Sequence, residues 1–201
     1  VRLQMLKNQI NPHFLFNTLN MIASTAQIED ADTTEKMIHA LSRLFRYNLK
    51  STDSVMPLER ELKVVQDYMY LQQMRFGQRI RYDTDCKPDT MEVLVPSFAL
   101  QPLVENAIIH GISPKGQGGR IHVRSWMEGR RLWISVADTG RGMAQERLEE
   151  IRLALARGEE KATGVGVGNI YRRVHGMYRD GEVFIYSSEG RGTVVQMAFT
   201  P

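Results

Sequence analysis

The sequence predicts an α/β protein in which a helical region precedes a sheet with interleaved helices. Apolar residues recur every three or four positions through the first third of the chain, which is the period of amphipathic helices. After residue 79 the pattern changes to short alternating strands, glycine turns and further helices. We therefore divide the chain into a helical region over 1–78 and an α/β domain over 79–201.

The composition is that of a globular protein and excludes several function classes. Apolar residues make up 42% and charged residues 24% of the 201, which excludes wholesale disorder. The net charge of +3 is too small to indicate nucleic acid, so we expect none as a partner. A single cysteine, Cys86, excludes an intrachain disulfide and a thiolate metal cluster, and fits a reducing compartment. Because the first residues already have the pattern of a helix, we expect the chain to be a piece of a longer protein.

Three helices are predicted in the helical region. The first has apolar residues at helical spacing over 3–22, and Pro12 should kink it or mark its restart. A capping box that begins at Asp32 starts the second helix. The third helix is expected to begin at Pro57 and to end at Gly77.

The α/β domain is predicted to alternate strands and helices. Its most apolar helix, over 97–110, is expected to be buried. A polar helix follows over 145–156, and another begins at Asn169. Strands or short apolar runs are predicted at 80–85, 93–96, 121–127, 132–137, 183–187 and 193–199.

Three glycine-rich segments punctuate this domain, and the middle one is the most informative. It contains Gly164, Gly166 and Gly168 and leads directly into the helix at Asn169. A glycine turn at a helix N-terminus presents free N–H groups and the positive end of the helix dipole, which suits a phosphate. The spacing differs from the dinucleotide-binding and P-loop motifs, and the protein-kinase motifs are absent from the sequence. The other two segments are 138–142 and 190–193.

Four polar residues are candidates for ligand contacts, and each also has a purely structural explanation. Asp138 ends an apolar strand, where its carboxylate can accept a hydrogen bond from an exocyclic amine such as that of adenine, or form an Asx turn. Asn106 and Glu105 lie on the apolar helix, where they can offer oxygen to Mg²⁺ or satisfy each other in a helix-end network. His110 shares a helical face with Asn106 and either contacts a ligand or ends the helix before a glycine.

Taken in order, these segments resemble a known family. The ATP-binding domain shared by histidine kinases, DNA gyrase B, Hsp90 and MutL has a similar series of motifs. In this chain the matching segments are Leu103-Val104-Glu105-Asn106-Ala107, Asp138-x-Gly-x-Gly, Gly164-x-Gly-x-Gly-Asn169 and Gly190-x-Gly-Thr193. In the helical region, the string Asn11-Pro12-His13-Phe14-Leu15-Phe16-Asn17 closely resembles the phosphoacceptor box of LytS/YesM-type sensor histidine kinases.

This resemblance implies a fold and a set of site residues. The fold is a helical dimerisation region followed by an α/β sandwich, with helices on one face of a mixed sheet. His13 would be phosphorylated, Asn106 would bind Mg²⁺ with Glu105 as a further metal ligand, and residues 157–163 would form a lid over ATP. The nucleotide-binding residues would be Asn106, His110, Asp138, Gly140, Gly142, Gly164, Gly166, Gly168 and Thr193.

The resemblance also implies an activity and its partners. A two-component histidine kinase uses ATP and Mg²⁺ to phosphorylate its own histidine, and passes the phosphoryl group to an aspartate of a response regulator. The implied protein is a homodimer joined through its N-terminal helices, and the cytoplasmic portion of a bacterial membrane sensor with membrane segments upstream. Arg172 or Arg173 would neutralise phosphate charge, or lie on a solvated helix face.

Two departures from the family pattern keep an alternative open. Phe14 follows His13, where many histidine kinases carry an acidic residue. Pro102 stands where the hydrolytic relatives have a glutamate that activates water, which suits transfer to a protein histidine better than ATP hydrolysis. The alternative is an ATP-binding signalling module that signals by a shape change without histidine phosphorylation.

Overall fold

The computed structural model of the protein describes residues 12–50, 54–157 and 165–201. The part of the predicted first helix before Pro12 lies outside these residues. The N-terminal region forms three helices, and the first two pack against each other as a hairpin with a short turn at Glu29 and Asp30. These helices are α1 (Pro12–Ile28), α2 (Asp32–Lys50) and α3 (Leu58–Phe76).

The α/β region contains a five-stranded mixed sheet, as predicted. The strands lie in the order β2-β4-β5-β7-β6; β2 and β4 are parallel, and the other neighbours are antiparallel. Strands β1 and β3 form a separate two-stranded antiparallel sheet, and α3 directly follows β1 in the chain. The strands are β1 (Val55–Pro57), β2 (Ile80–Cys86), β3 (Leu94–Pro96), β4 (Gly119–Glu128), β5 (Arg131–Asp138), β6 (Glu182–Ser188) and β7 (Gly192–Phe199).

Helices cover one face of this sheet and enclose the core. Inward-facing side chains alternate with outward ones along each strand, so β4 and β5 bury Ile121, Leu132 and Ile134 completely. The helices are α4 (Gln101–Asn106), continued by a π-helix (Ala107–Ile112), α5 (Gln145–Ala156) and α6 (Val165–Met177).

Helix α3 belongs to the same core as the sheet. Leu58, Leu62, Val65 and Met69 on its apolar face are buried in one cluster with residues of the sheet and of α4. The core therefore continues across the division that we predict between residues 78 and 79. The domain boundary between residues 78 and 79 stays a prediction, although α3 packs against the sheet and α4 of the α/β domain.

Three predicted helix ends are wrong: both ends of the helix predicted over 97–110, and the start predicted at Asn169. The helix predicted over 97–110 begins only at Gln101, because Phe98 before it has a left-handed backbone, with φ of 59°. It then continues past His110 as the π-helix, so the expected stop at residue 111 does not occur. Helix α6 is already formed at Val165, four residues before the predicted start at Asn169.

The other ends agree with the sequence more closely. Gly77 ends α3 with a φ of 63°, as predicted for a glycine after the last turn. Pro57 precedes the helix and lies in β1, so α3 starts at Leu58. Within the described part of the chain, none of the helices has the length and apolar character needed to cross a membrane.

Candidate functional site

A cavity of about 250 Å³ lies between the α4 and π-helix segment and the ends of β5 and β7. Its walls combine apolar side chains such as Leu103, Val136 and Ile151 with several polar residues. It brings together five of the residues that the sequence predicts for nucleotide binding: Asn106, His110, Asp138, Gly142 and Thr193. An apolar pocket with a few convergent polar groups is the usual form of a small-molecule site.

Asp138 is the half-buried acidic group of this cavity. It is the last residue of β5 and lies opposite Thr193 of β7. Its Oδ1 accepts a hydrogen bond of 2.7 Å from the Gly140 N–H, so it forms the turn that we considered as its structural role and also lines the cavity. Burial raises the pKa of the Asp138 carboxyl, although the N–H groups of Gly140 and Thr193 and the charge of Lys115 oppose this.

Two glycines let the π-helix contact the turn that follows Asp138. A Cβ atom on Gly111 would lie 2.8 Å from Asp138 Oδ1, and one on Gly140 would lie 2.3 Å from the carbonyl carbon of Gly111. The Arg141 N–H also donates to the Gly111 carbonyl at 2.9 Å. Gly111 thus packs against the carboxylate, and the one signal for it in the sequence is a glycine inside an apolar helix.

The first and third glycine segments, 138–142 and 190–193, contact each other beside the cavity. Gly142 has a φ of 65°, and a Cβ there would lie 1.9 Å from the Ser188 carbonyl oxygen, so this position requires glycine. The hydroxyl groups of Ser187 and Thr193 are 2.9 Å apart, and the Ser187 hydroxyl accepts the Met143 N–H at 3.0 Å. This network fixes Thr193 next to Asp138.

Gly166 brings the first turn of α6 against Asn106. A Cβ at Gly166 would lie 2.2 Å from Asn106 Nδ2 and 2.9 Å from the Pro102 carbonyl oxygen. Gly166 and the buried Gly168 lie inside α6, so they belong to the helix rather than to the turn that we predict before it. Gly164 and residues 158–163 of the predicted lid lie outside the described residues.

Asn106 lines the cavity, whereas Glu105 does not. The Glu105 carboxylate accepts a hydrogen bond of 2.8 Å from Gln101 Nε2, on the same helix. Among the described residues there is no group of three or more His, Cys, Asp or Glu side chains that could hold a metal ion. Asn106 therefore offers an amide oxygen at the cavity, a type of ligand that Mg²⁺ accepts.

The cations at the cavity are not the ones that we considered from the sequence. Arg172 donates to Asn169 Oδ1 at 2.6 Å, and Arg173 donates to the Ser97 carbonyl at 2.6 Å. Arg141 and Arg147, which our reading of the sequence missed, line the cavity instead. Arg141 stands between two glycines of the Asp138 segment, which is the signal that could have identified it.

His13 lies outside the cavity, in the first turn of α1. Its ring is exposed, and its Nδ1 is 3.2 Å from the amide nitrogen of Asn17, one turn along the helix. An exposed imidazole can act as a nucleophile through the lone pair of its unprotonated ring nitrogen.

Comparisons with known proteins agree on one family. A model of the histidine kinase family matches residues 1–80, and a model of the histidine kinase-, DNA gyrase B- and HSP90-like ATPases matches residues 96–201. Sensor histidine kinase YpdA of Escherichia coli is 36% identical over 89% of this chain, and sensor protein LytS of Staphylococcus saprophyticus is 34% identical over 94%. The chain spans about a third of the length of these relatives, 31% and 32% respectively.

A solved structure shows the same fold. The histidine kinase domain of the blue-light activated histidine kinase from Erythrobacter litoralis EL346 superimposes with a TM-score of 0.52. The match covers 98% of this chain and 92% of that one, at 18% sequence identity.

Proposed function

Because this chain belongs to the histidine kinase family, with the ATPase domain also found in DNA gyrase B and HSP90, we propose that it is the catalytic part of an ATP-dependent protein-histidine kinase. In this proposal it phosphorylates His13 and passes the phosphoryl group to an aspartate of a response regulator. The carrying observation is the cavity in which Asp138, Asn106 and Thr193 converge.

The cavity suits the adenine end of ATP. The Asp138 carboxylate can accept a hydrogen bond from the exocyclic amine of the base, because a carboxylate has more acceptor positions than the Gly140 and Thr193 N–H groups use. Apolar walls on both sides offer contact to the faces of the ring. The nucleotide-binding residues of the proposal are those predicted from the sequence, with Gly111 added because it packs against Asp138.

The phosphate end would lie toward Asn106 and the first turn of α6. Asn106 would give its amide oxygen to Mg²⁺, which neutralises phosphate charge when it is bound. The cation Arg141 lines the cavity and could meet the phosphate oxygens, whereas Arg147 also lines it but pairs with Glu150 at 2.8 Å. Glu105 is the weaker metal candidate, since its carboxylate pairs with Gln101.

The transfer step needs an accessible imidazole more than it needs a protein base. A lone pair of the neutral His13 ring forms a bond to the γ-phosphorus, the bond to the bridging oxygen breaks, and ADP leaves. The ring proton then passes to solvent. Asn17 can orient the ring through the 3.2 Å contact but cannot remove a proton at neutral pH.

We also propose a homodimer and a larger membrane sensor. Phe14, Met21 and Ile28 are spaced by seven residues on α1 and are 70%, 63% and 83% exposed, which is the pattern of a helix face awaiting a second copy. The relatives are named as sensors, which supports placing this chain as the cytoplasmic portion of a sensor in the bacterial cell membrane.

Incubation with γ-labelled ATP and Mg²⁺ tests the kinase. We expect acid-labile, alkali-stable phosphate on the protein, and its complete loss in His13→Ala. His39→Ala is the matched control, because His39 is an exposed histidine on α2 beside Glu35 and should not change the labelling. Label that persists in His13→Ala would contradict the assignment.

The alternative of an ATP-binding module without histidine phosphorylation rests on Phe14. The residue after His13 is Phe14, whose side chain is 70% exposed. This position therefore provides no acidic group beside the imidazole. Tight binding of ATP with no acid-labile label under any condition would favour this alternative.

A further inference from the structure

The turn before α4 is held by side chains from three other helices. Phe98 and Leu100 lie in this turn, just before the helix that carries Asn106. Tyr47 of α2, Glu61 of α3 and Arg173 of α6 all bond to it. None of these three residues lines the cavity, and the nucleotide site as described above does not use them.

Glu61 supplies a fully buried carboxylate to the turn. Its side chain has no exposure, and its two oxygens accept the N–H of Phe98 at 2.9 Å and the N–H of Leu100 at 3.0 Å. The Tyr47 hydroxyl donates a short hydrogen bond to the same carboxylate. Burial raises the pKa of the Glu61 carboxyl, whereas these hydrogen-bond donors lower it. The hydrogen bonds therefore offset part of the free-energy cost of removing the carboxylate from water.

Tyr47 brings the hairpin into this arrangement. Its hydroxyl oxygen is 2.7 Å from the Phe98 nitrogen, and its ring lies 4.5 Å from the Phe98 ring, centre to centre. Phe98 has a φ of 59°, which an aromatic residue rarely adopts unless its surroundings hold it. The contacts with Tyr47 and Glu61 are what hold it.

Arg173 connects the same turn to the helix that follows the predicted lid. Its guanidinium donates to the Ser97 carbonyl and lies 5.6 Å from the centre of the Phe98 ring. At the other end of α4, Gly166 of α6 packs against Asn106. Helix α6 therefore contacts both the start of α4 and its ligand-binding end.

We propose that Tyr47 and Glu61 are positioning residues for phosphoryl transfer. They fix the turn at Phe98, and through α4 the Asn106 end of the cavity, relative to α2 of the hairpin that carries His13. This inference rests on the proposed function for its effect on catalysis. The coupling itself is reciprocal, so occupation of the cavity must also change the stability of α2.

Tyr47→Phe is the decisive variant, because it keeps the ring contact of Tyr47 with Phe98 and removes only the hydroxyl. In the wild-type dimer, a non-hydrolysable ATP analogue with Mg²⁺ should slow amide hydrogen exchange in α2 around residue 47. We expect Tyr47→Phe to abolish this slowing while the dissociation constant of the analogue stays within about threefold of wild type. Tyr70→Phe, on α3, is the matched control and should behave as wild type.

The kinetic readout separates positioning from a merely structural role. At saturating ATP, Tyr47→Phe should phosphorylate His13 at least about tenfold more slowly, with KM for ATP within about threefold. Glu61→Gln keeps the shape but presents an amide to the Phe98 and Leu100 N–H groups, and it should show the same separation of rate from KM. Circular dichroism melting establishes that each variant is folded at the assay temperature.

Each outcome decides the question. Wild-type exchange and wild-type rates in Tyr47→Phe would overturn the proposal. A rate that falls only in parallel with nucleotide affinity would also overturn it, since the hydroxyl would then serve the cavity locally. If the wild type forms no phosphohistidine, the proposed function fails, whereas the exchange experiment with the analogue still decides the coupling.

Discussion

The helical hairpin and the α/β region use their apolar residues in opposite ways. In the α/β region, Leu132, Ile134 and Phe199 are fully buried in a core that the chain completes by itself. In the hairpin, helix α1 leaves Phe14, Met21 and Ile28 largely exposed. The hairpin buries mainly small side chains, such as Ala23, Ala26 and Ala40, along the contact between its helices.

Because of this difference, we expect the hairpin and the α/β region to have separate roles. The cavity proposed for the nucleotide is lined by residues of the α/β region, so nucleotide affinity should depend mainly on that region. Helix α1, which carries the proposed phosphoacceptor, has an exposed apolar face, so its arrangement should depend on a second copy. Binding of nucleotide and phosphorylation of His13 should therefore be separable by mutation.

The largest expected effect is on the core. Leu132→Ala removes a fully buried side chain from β5 and should lower the free energy of unfolding by about 2–5 kcal/mol. Ile28→Ala, at a position 83% exposed, should change it by less than about 0.5 kcal/mol in the monomer. Urea denaturation at low protein concentration measures both values, and equal effects would contradict the contrast between the regions.

Asp138→Asn should separate nucleotide affinity from stability. Asparagine replaces one of the two accepting oxygens by an NH2 donor, and the remaining oxygen is needed by the Gly140 N–H, so affinity should fall by about 1–3 kcal/mol, or roughly 5- to 150-fold. The nucleotide-free variant should melt no lower than wild type, because burial raises the pKa of the Asp138 carboxyl and the ionised group costs stability at neutral pH. Calorimetric titration and a thermal melt give the two numbers, and unchanged affinity would show that adenine lies elsewhere.

The same variant tests the direction in which nucleotide affinity changes with pH. Since the pKa of Asp138 is raised, its carboxylate protonates at a higher pH than an ordinary aspartate, and wild-type affinity should fall as the pH is lowered through that value. The ratio of wild-type to Asp138→Asn affinity is the useful quantity, because titration of the nucleotide itself cancels in it. A ratio that does not change with pH would exclude Asp138 as the titrating group.

The sequence predicts the frame of this site better than its contacts. Strand alternation and glycine spacing place Asp138 at a strand end, and the cavity does contain it. The Gly111–Gly140 contact could not be predicted, since it depends on how a π-helix lies against a turn about thirty residues away. The residues around Arg173 in the sequence do not predict its partners, Ser97 and Phe98, which lie far from it along the chain.

The fold shows the same limit at Glu61. Its position on the predicted third helix, with apolar neighbours at helical spacing, gives no sign that a carboxylate should have zero exposure. Its partners Phe98 and Leu100 are thirty-seven and thirty-nine residues away, so the burial arises from tertiary contacts alone. The predicted helix over 97–110 begins late for the same reason, because the turn at Phe98 serves this carboxylate.

A smaller effect is expected at the proposed dimer face. Met21→Glu places a charge on the exposed face of α1 and should weaken self-association by about tenfold or more, while nucleotide affinity remains unchanged. Gln27→Glu adds the same charge at an exposed polar position and serves as the control. Sedimentation over a concentration series measures association, and an unaffected dimer would place the interface on another surface.

The smallest expected effect lies at the ion pair that joins the hairpin to α3. Arg43 of α2 binds both carboxylate oxygens of Asp67 on α3, at 2.7 and 2.6 Å, and this pairing raises the pKa of the arginine. Arg43 is 57% exposed, so Asp67→Asn should cost only about 0.2–1 kcal/mol, and less in high salt. Glu59→Gln, which breaks a pair within α3, is the control for loss of a surface charge. A loss well above this range would mean that charge, rather than the buried contacts of Tyr47, fixes the hairpin on the α/β region.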